Sequence, residues 1–228
     1  MNQASALRTP VSQSPSLELY LIRHGNAKKL RGETYVTAPL TELGRAQAEA
    51  TGIYLKQQGL YFDGYYCSEL KRAIETATII GECIGQTATV RQRIHEMEYR
   101  EFPVTILAEL FARTGLLDSY FEKHAGKVIR YPTVGRVTKG LLEIYAQHSC
   151  GRICLVVHGG VISSILAWYF PRERRHWWRD TVGNCSITRL QIQNERATLL
   201  EFDSVAHLGA LASTAHQRNY TFSSDEGV

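Results

Sequence analysis

The stretch Leu17-Glu18-Leu19-Tyr20-Leu21-Ile22-Arg23-His24-Gly25 decides the fold. It alternates at first and then becomes continuously apolar, the pattern of a strand running into a buried sheet. It stops on a guanidinium, an imidazole and a glycine. A buried strand with such an ending puts titratable groups at the carboxyl edge of a sheet, where open parallel sheets form their ligand crevice.

Further along, Thr41 opens an amphipathic helix that runs to about Gln58. Tyr61 to Cys67 reads as a second strand, and Ser68 is placed to cap the next helix. Leu70, Ile74 and Ala77 recur there at helical spacing as the expected buried stripe, with Arg72 off it. Another strand is expected just before Glu96. From Pro103 to about His148 the pattern is helical, with breaks near Gly115, near Gly126 and at Pro132. Ile153 to Val157 is a β-branched run of the kind buried on both faces, and Gly159-Gly160 leads into a helix through Tyr169. Ser186 to Gln193 and Ala197 to Phe202 form a hairpin turning at Asn194-Glu195. Strands alternating with helices give an α/β domain with a largely parallel sheet. One domain is expected over 17–210, between flexible polar tails at 1–16 and 211–228.

Composition excludes some classes of function. A chain of 228 residues, 44% hydrophobic, can bury one sizeable core, and its net charge of +4 suits anionic ligands without demanding nucleic acid. The five cysteines are scattered and form no zinc pattern. With thiols expected to be buried, no apolar run of spanning length and no hydrophobic h-region read at the N-terminus, a cytoplasmic protein is expected.

Chemistry collects at three strand-to-helix junctions: Arg23-His24 after the first strand, Arg72 after the second and His158 after the fourth. Taken singly, His158 reads as a core histidine and Arg72 as a solvated helix residue. Their convergence changes that reading, because two guanidinium forks and two imidazoles at equivalent strand ends suit a compact anion. Bidentate contact favours phosphate over carboxylate. Gly159 and Gly160 let backbone N–H groups at a helix start approach the same anion. Fixed donors around a phosphoryl group stabilise the charge that its transfer develops, and His24 is left to attack. Flanking positive charge is expected to keep His24 neutral. A leaving alkoxide needs a proton, and Glu96 is the candidate, held protonated by the charge of a bound phosphate.

These residues resemble the histidine phosphatase superfamily, the phosphoglycerate mutase-like group with two pocket histidines. Leu21 to Gly25 is similar to its nucleophile motif and Pro39 to Ala48 to the segment that follows. Cys67 to Ala77 is similar to its second arginine motif, and Val157-His158-Gly159-Gly160 to its second histidine. The likeness spans most of 17–202. It implies a three-layer αβα sandwich with a helical insert, about 103–148, over the active site. By the same resemblance His24 becomes a phosphohistidine, Arg23, Arg72 and His158 form the phosphate pocket, and Glu96 donates the proton.

The sequence departs from the family after Gly25, where Asn26-Ala27-Lys28-Lys29 follows, and after the acid, where Tyr99-Arg100-Glu101-Phe102 stands in place of a glycine. Asn26, Gly159, Lys28 and Arg31 are the substrate-binding candidates. The moderate insert favours a phosphomonoester hydrolase over a mutase, with a weakly catalytic phospho-ligand-binding protein as the other class. The expected partner is a phosphorylated small molecule, then a phosphoprotein, with monomer and homodimer both open. Neither metal nor cofactor is expected. The basic, Trp-containing run Arg172 to Arg179 reads as a helix end or subunit contact, not a nucleic-acid site, and no membrane contact is expected.

Overall fold

The computed structural model describes residues 15–28, 37–96, 132–170 and 182–212. Among them run β1 (Ser16–Arg23), α1 (Glu42–Gln57), β2 (Gly64–Ser68), α2 (Lys71–Ile84), β3 (Thr89–Arg91), α3 (Pro132–Tyr145), β4 (Gly151–Val157), α4 (Gly159–Tyr169), β5 (Ile187–Gln193) and β6 (Arg196–Ser204). Short 3₁₀ segments cover Gln92–Ile94 and Ala206–Leu211. Arg31, the insert before residue 132, the run Arg172 to Arg179 and, of the expected tails, 1–14 and 213–228 lie outside the described residues, while Ser16 belongs to β1 and Leu211 to the second 3₁₀ segment.

The strands form one sheet in the order β3-β2-β4-β1-β5-β6. Pairing is parallel from β3 to β1, then antiparallel from β1 to β5 and from β5 to β6. The fold is thus a mostly parallel α/β sheet flanked by helices. Period-two alternation sorts the two most apolar strands between two cores. Leu17, Leu19 and Leu21 of β1 join Ile153, Leu155 and Val157 of β4 against α3 and α4. Tyr20, Ile22, Cys154 and Val156 face the other way, toward α1 and α2. Three layers follow, because a strand apolar on both sides has to be covered on both sides.

Register brings the junctions together. Arg23 of β1 is paired with Val157 of β4, and Cys67 of β2 with Val156, so His24 and His158, each one residue past its strand, and Ser68, the last residue of β2, meet at the ends of three adjacent parallel strands. Asn194 and Glu195, at φ 51° and 62°, make the β5–β6 turn at the expected place.

Several boundaries differ from expectation. β1 takes in Ser16, and β2 begins at Gly64 because Tyr61 is two-thirds exposed before it. The cap of α2 is Leu70, not Ser68; Ser68 is the last residue of β2. The buried face of α2 is Arg72, Ala73, Thr76, Ala77, Ile80 and Gly81, while Ile74 is 36% exposed. Arg72, expected outside, is only 1% exposed. Small residues let this face sit close to the sheet, and the arginine is long enough to reach over the sheet's edge.

Two glycines make the first loop possible. A Cβ on Gly25 would lie 2.4 Å from the Gly44 carbonyl oxygen, and one on Gly44 would lie 2.0 Å from that of Asn26. Backbone therefore packs on backbone where α1 meets the loop after β1. Gly44→Ala should destabilise the protein by roughly 1–3 kcal/mol, the usual cost of overpacking. Urea denaturation that finds the variant as stable as the native chain would contradict this packing.

Candidate active site

His24 is 7% exposed, and both ring nitrogens are engaged. Its Nδ1 lies 2.7 Å from the carbonyl oxygen of Gly25, which can only accept. Its Nε2 lies 3.1 Å from Nε of Arg72, which can only donate. The two partners fix the tautomer: Nδ1 carries the proton and Nε2 keeps the lone pair. Burial pushes the His24 pKa well below 6.5, with the charges of Arg23 and Arg72 adding to the effect. The positive surroundings read from the sequence are present, but desolvation contributes more.

His158 is fully buried, its ring 5.0 Å from that of His24. Its Nε2 is 2.8 Å from Ser68 Oγ, and the same hydroxyl oxygen accepts from the Leu70 amide at 3.3 Å. Its buried Nδ1 has no hydrogen-bond partner among the described residues. Burial and then the neighbouring His24, Arg72, Arg23 and His95 hold its pKa well below 6.5. Arg23, half-buried, donates through Nη1 to the Val182 carbonyl. Gly159 opens α4 beside it; a Cβ there would still stand 3.9 Å from Arg23 Nε, so that side of the loop is roomy.

The structure thus brings Arg23, His24, Arg72 and His158 together and sets the Gly159 helix start beside them. Other candidates stand differently. Asn26 Oδ1 accepts from the Thr41 hydroxyl at 2.8 Å, so that oxygen serves the N-terminus of α1. Lys28 is exposed. Glu96 does not end a strand: β3 stops at Arg91, a 3₁₀ turn follows, and half-buried Glu96 comes two residues after it. The open cleft lined by Ser16, Glu18, Asp63, Gly151 and Arg152 lies at the opposite edge of the sheet and includes none of these residues. Among the described residues, no group of histidine, cysteine and carboxylate side chains could hold a metal, and no helix is long and apolar enough to cross a membrane.

Sequence reading missed the residues that steady this centre. Thr76 Oγ1 accepts from the Gly25 amide at 3.0 Å, and Gln47 Oε1 from the Asn26 amide at 2.9 Å. Asn184 Nδ2 donates to the His24 carbonyl at 3.0 Å, and the Cys185 amide to the Arg23 carbonyl at 3.0 Å. Cys185 holds the left-handed φ of 53° while fully buried, a strained conformation that its surroundings must enforce. Among the contacts that do so is His207, whose Nε2 lies 3.2 Å from the Cys185 carbonyl. Only the helical position of Gln47 and Thr76, facing the sheet, could have signalled any of these.

Comparison with known proteins now adds to the geometry. The family model described as histidine phosphatase superfamily (branch 1) matches residues 19–204. The chain belongs to that superfamily. An adenosylcobalamin/α-ribazole phosphatase of Salmonella typhi is 26% identical over 203 residues, covering 79% of this chain and 98% of the relative. A 2,3-bisphosphoglycerate-dependent phosphoglycerate mutase of Thermoplasma acidophilum is 24% identical over 204 residues, covering 88% and 96%. The crystal structure of a phosphoglycerate mutase from Bacillus anthracis superposes with a TM-score of 0.65 at 20% identity, over 87% of this chain and 97% of that one. Phosphatases and mutases of this superfamily are both similar to the chain, and they share its fold.

The buried histidines make a prediction about stability. Their folded pKa values lie below 6.5, so as pH falls beneath 6.5 the unfolded chain binds protons that the folded chain refuses. Stability is full above that pH and drains away below it, by up to about 1.4 kcal/mol per pH unit for each histidine. Urea unfolding between pH 6.5 and 5.5 should show a shallower dependence in His158→Asn than in the native chain. Equal slopes would refute the buried neutral state of His158.

Proposed function

We propose that this superfamily member is a phosphomonoester hydrolase working through a phosphohistidine on His24. The observation that carries the reading is the buried Arg72–His24 contact, which leaves one imidazole lone pair, on Nε2, beside a guanidinium. In the first step Arg72 turns its N–H from Nε2 to a phosphate oxygen, the freed Nε2 lone pair attacks phosphorus while the bond to the leaving oxygen breaks, and Glu96 gives that oxygen its proton. In the second step water attacks the phosphohistidine, Glu96 takes up the water's proton, and the P–N bond breaks to release inorganic phosphate.

Arg23 and Arg72 bind the equatorial oxygens, whose charge grows in the transition state. His158 contributes through its Nδ1, which has no partner among the described residues. In this reading the Ser68 hydroxyl donates to Nε2, which places the His158 proton on Nδ1 as a buried donor that a phosphate oxygen satisfies. The first turn of α4, beginning at Gly159, adds backbone N–H groups. No step calls for a metal.

The substrate class is a phosphorylated small molecule. The α-ribazole phosphatase among the relatives favours hydrolysis, and the mutase keeps transfer to a second hydroxyl as the alternative. Both pass through the same phosphohistidine and differ in whether water or an alcohol accepts the phosphoryl group.

Incubation with ³²P-labelled phosphomonoesters and a quench in alkaline detergent should trap an acid-labile, base-stable label on the native chain and none on His24→Ala. Inorganic phosphate should be released from a panel of sugar phosphates, phosphoglycerates and nucleotides, undiminished by excess chelator. Rapid interconversion of phosphoglycerates with almost no phosphate release would favour the mutase. Activity should persist as pH falls through 6.5, because His24 remains neutral there, and decline further into acid. An acid limb centred at 6.5 or above would oppose a depressed His24.

A further inference from the structure

Taking Glu96 as the proton donor, we infer that α3 positions it, with Arg136 as the positioning residue. The acid follows a 3₁₀ turn of only three residues, Gln92–Ile94, too short to hold itself in place. What grips the turn therefore sets the backbone from which the carboxyl departs.

Three residues on one face of α3, at i, i+4 and i+7, grip it. Arg136 Nη1 donates to the Arg93 carbonyl at 2.8 Å and to the His95 carbonyl at 3.0 Å. The second of these carbonyls belongs to the peptide bond that joins His95 to Glu96, so the guanidinium fixes the plane from which the acid departs. At Gly140 the helix lies against the turn: a Cβ there would be 2.7 Å from Arg93 Cβ and 3.2 Å from Ile94 Cγ2. Glu143 closes the stripe with an ion pair to Arg93 at 2.9 Å, exposed at both ends. Beneath it Ile94 is fully buried in one core with Val137, Leu141 and Ile144.

A general acid must come within about 2.6–3.2 Å of the oxygen it protonates, and drift of an ångström is expensive. The loss falls on substrates that need the proton. A poor leaving group such as an alkoxide depends on the acid, whereas p-nitrophenolate leaves without much help. Arg136 touches neither phosphate nor leaving group in this account. Its effect therefore registers as leaving-group selectivity more than as general loss of activity.

The experiment measures kcat/KM for 2-glycerol phosphate and for p-nitrophenyl phosphate in the native chain, Glu96→Gln, Arg136→Met, Arg136→Lys and Gly140→Ala. Arg136→Met and Gly140→Ala should each lower the ratio of the alkyl to the aryl ester by about tenfold, part of the 10²–10⁴-fold that a general acid supplies. Glu96→Gln should lower it further, and Arg136→Lys, which keeps a cation with N–H donors, should restore part of it. If Arg136→Met does not fold, Gly140→Ala and Arg136→Lys carry the comparison. A ratio unchanged in the α3 variants while Glu96→Gln lowers it overturns the inference alone. A ratio unchanged in Glu96→Gln removes the acid assignment, and the role of Arg136 with it.

Discussion

The site depends on one contact, the 3.1 Å hydrogen bond from Arg72 Nε to His24 Nε2. A guanidinium that is 1% exposed and an imidazole that is 7% exposed have both left water. That arrangement is costly unless the site gives each group something to do. The imidazole answers by staying neutral. With Nδ1 tied to the Gly25 carbonyl and Nε2 to Arg72, rotation or tautomer exchange would break two hydrogen bonds. The lone-pair nitrogen is set before any substrate arrives, and for the proposed nucleophile this is the preorganised state from which electrostatic catalysis gains most.

Delivering those groups to one point is the work of the sheet. β2, β4 and β1 lie side by side and point the same way, so their last residues meet without any long-range loop having to be ordered. Backbone hydrogen bonds of the ladder fix this meeting to within a residue. The loop after β1 then has to turn away at once, since α1 stands so near that neither Gly25 nor Gly44 could carry a side chain. Thr76, Gln47, Asn184 and the strained Cys185 hold the loop from three elements. The precision of the centre is therefore spread through the fold and resides only partly in the residues that face the ligand.

This division explains what could be read from the sequence. The apolar runs of β1 and β4, the Thr41 cap and the Asn194-Glu195 turn are local signals, and each stands where its pattern places it. Arg72 was legible as a residue of the site and illegible as a buried one. Periodicity counts charged residues as solvent-facing, and only the nearness of His24 shows why this one is not. Ser68 was misread for a related reason: a serine before a helix looks like a cap, whereas here its hydroxyl is occupied with His158 one strand away. Asn184 and His207 follow the second histidine by 26 and 49 positions. They carry no motif, and only the antiparallel return of β5 and β6 brings their segment back to the first loop.

The two halves of the proposed chemistry rest on supports of different kinds. Arg23, His24 and His158 sit at the ends of central strands whose side chains are buried on both faces, and Arg72 sits in the first turn of the helix that follows β2, so their places are tied to the sheet. The turn before Glu96 lies beyond the short edge strand β3, whose Thr89 and Val90 are exposed, and is held by one face of α3 and by Glu69, whose carboxylate lies 3.4 Å from His95 Nδ1. Sequence change can therefore move the acid and the walls around the leaving group without disturbing phosphohistidine formation. A superfamily built this way keeps one phosphoryl-transfer centre and varies what departs from it and what accepts. That is consistent with phosphatases and mutases both being similar to this chain at low identity along nearly their whole length.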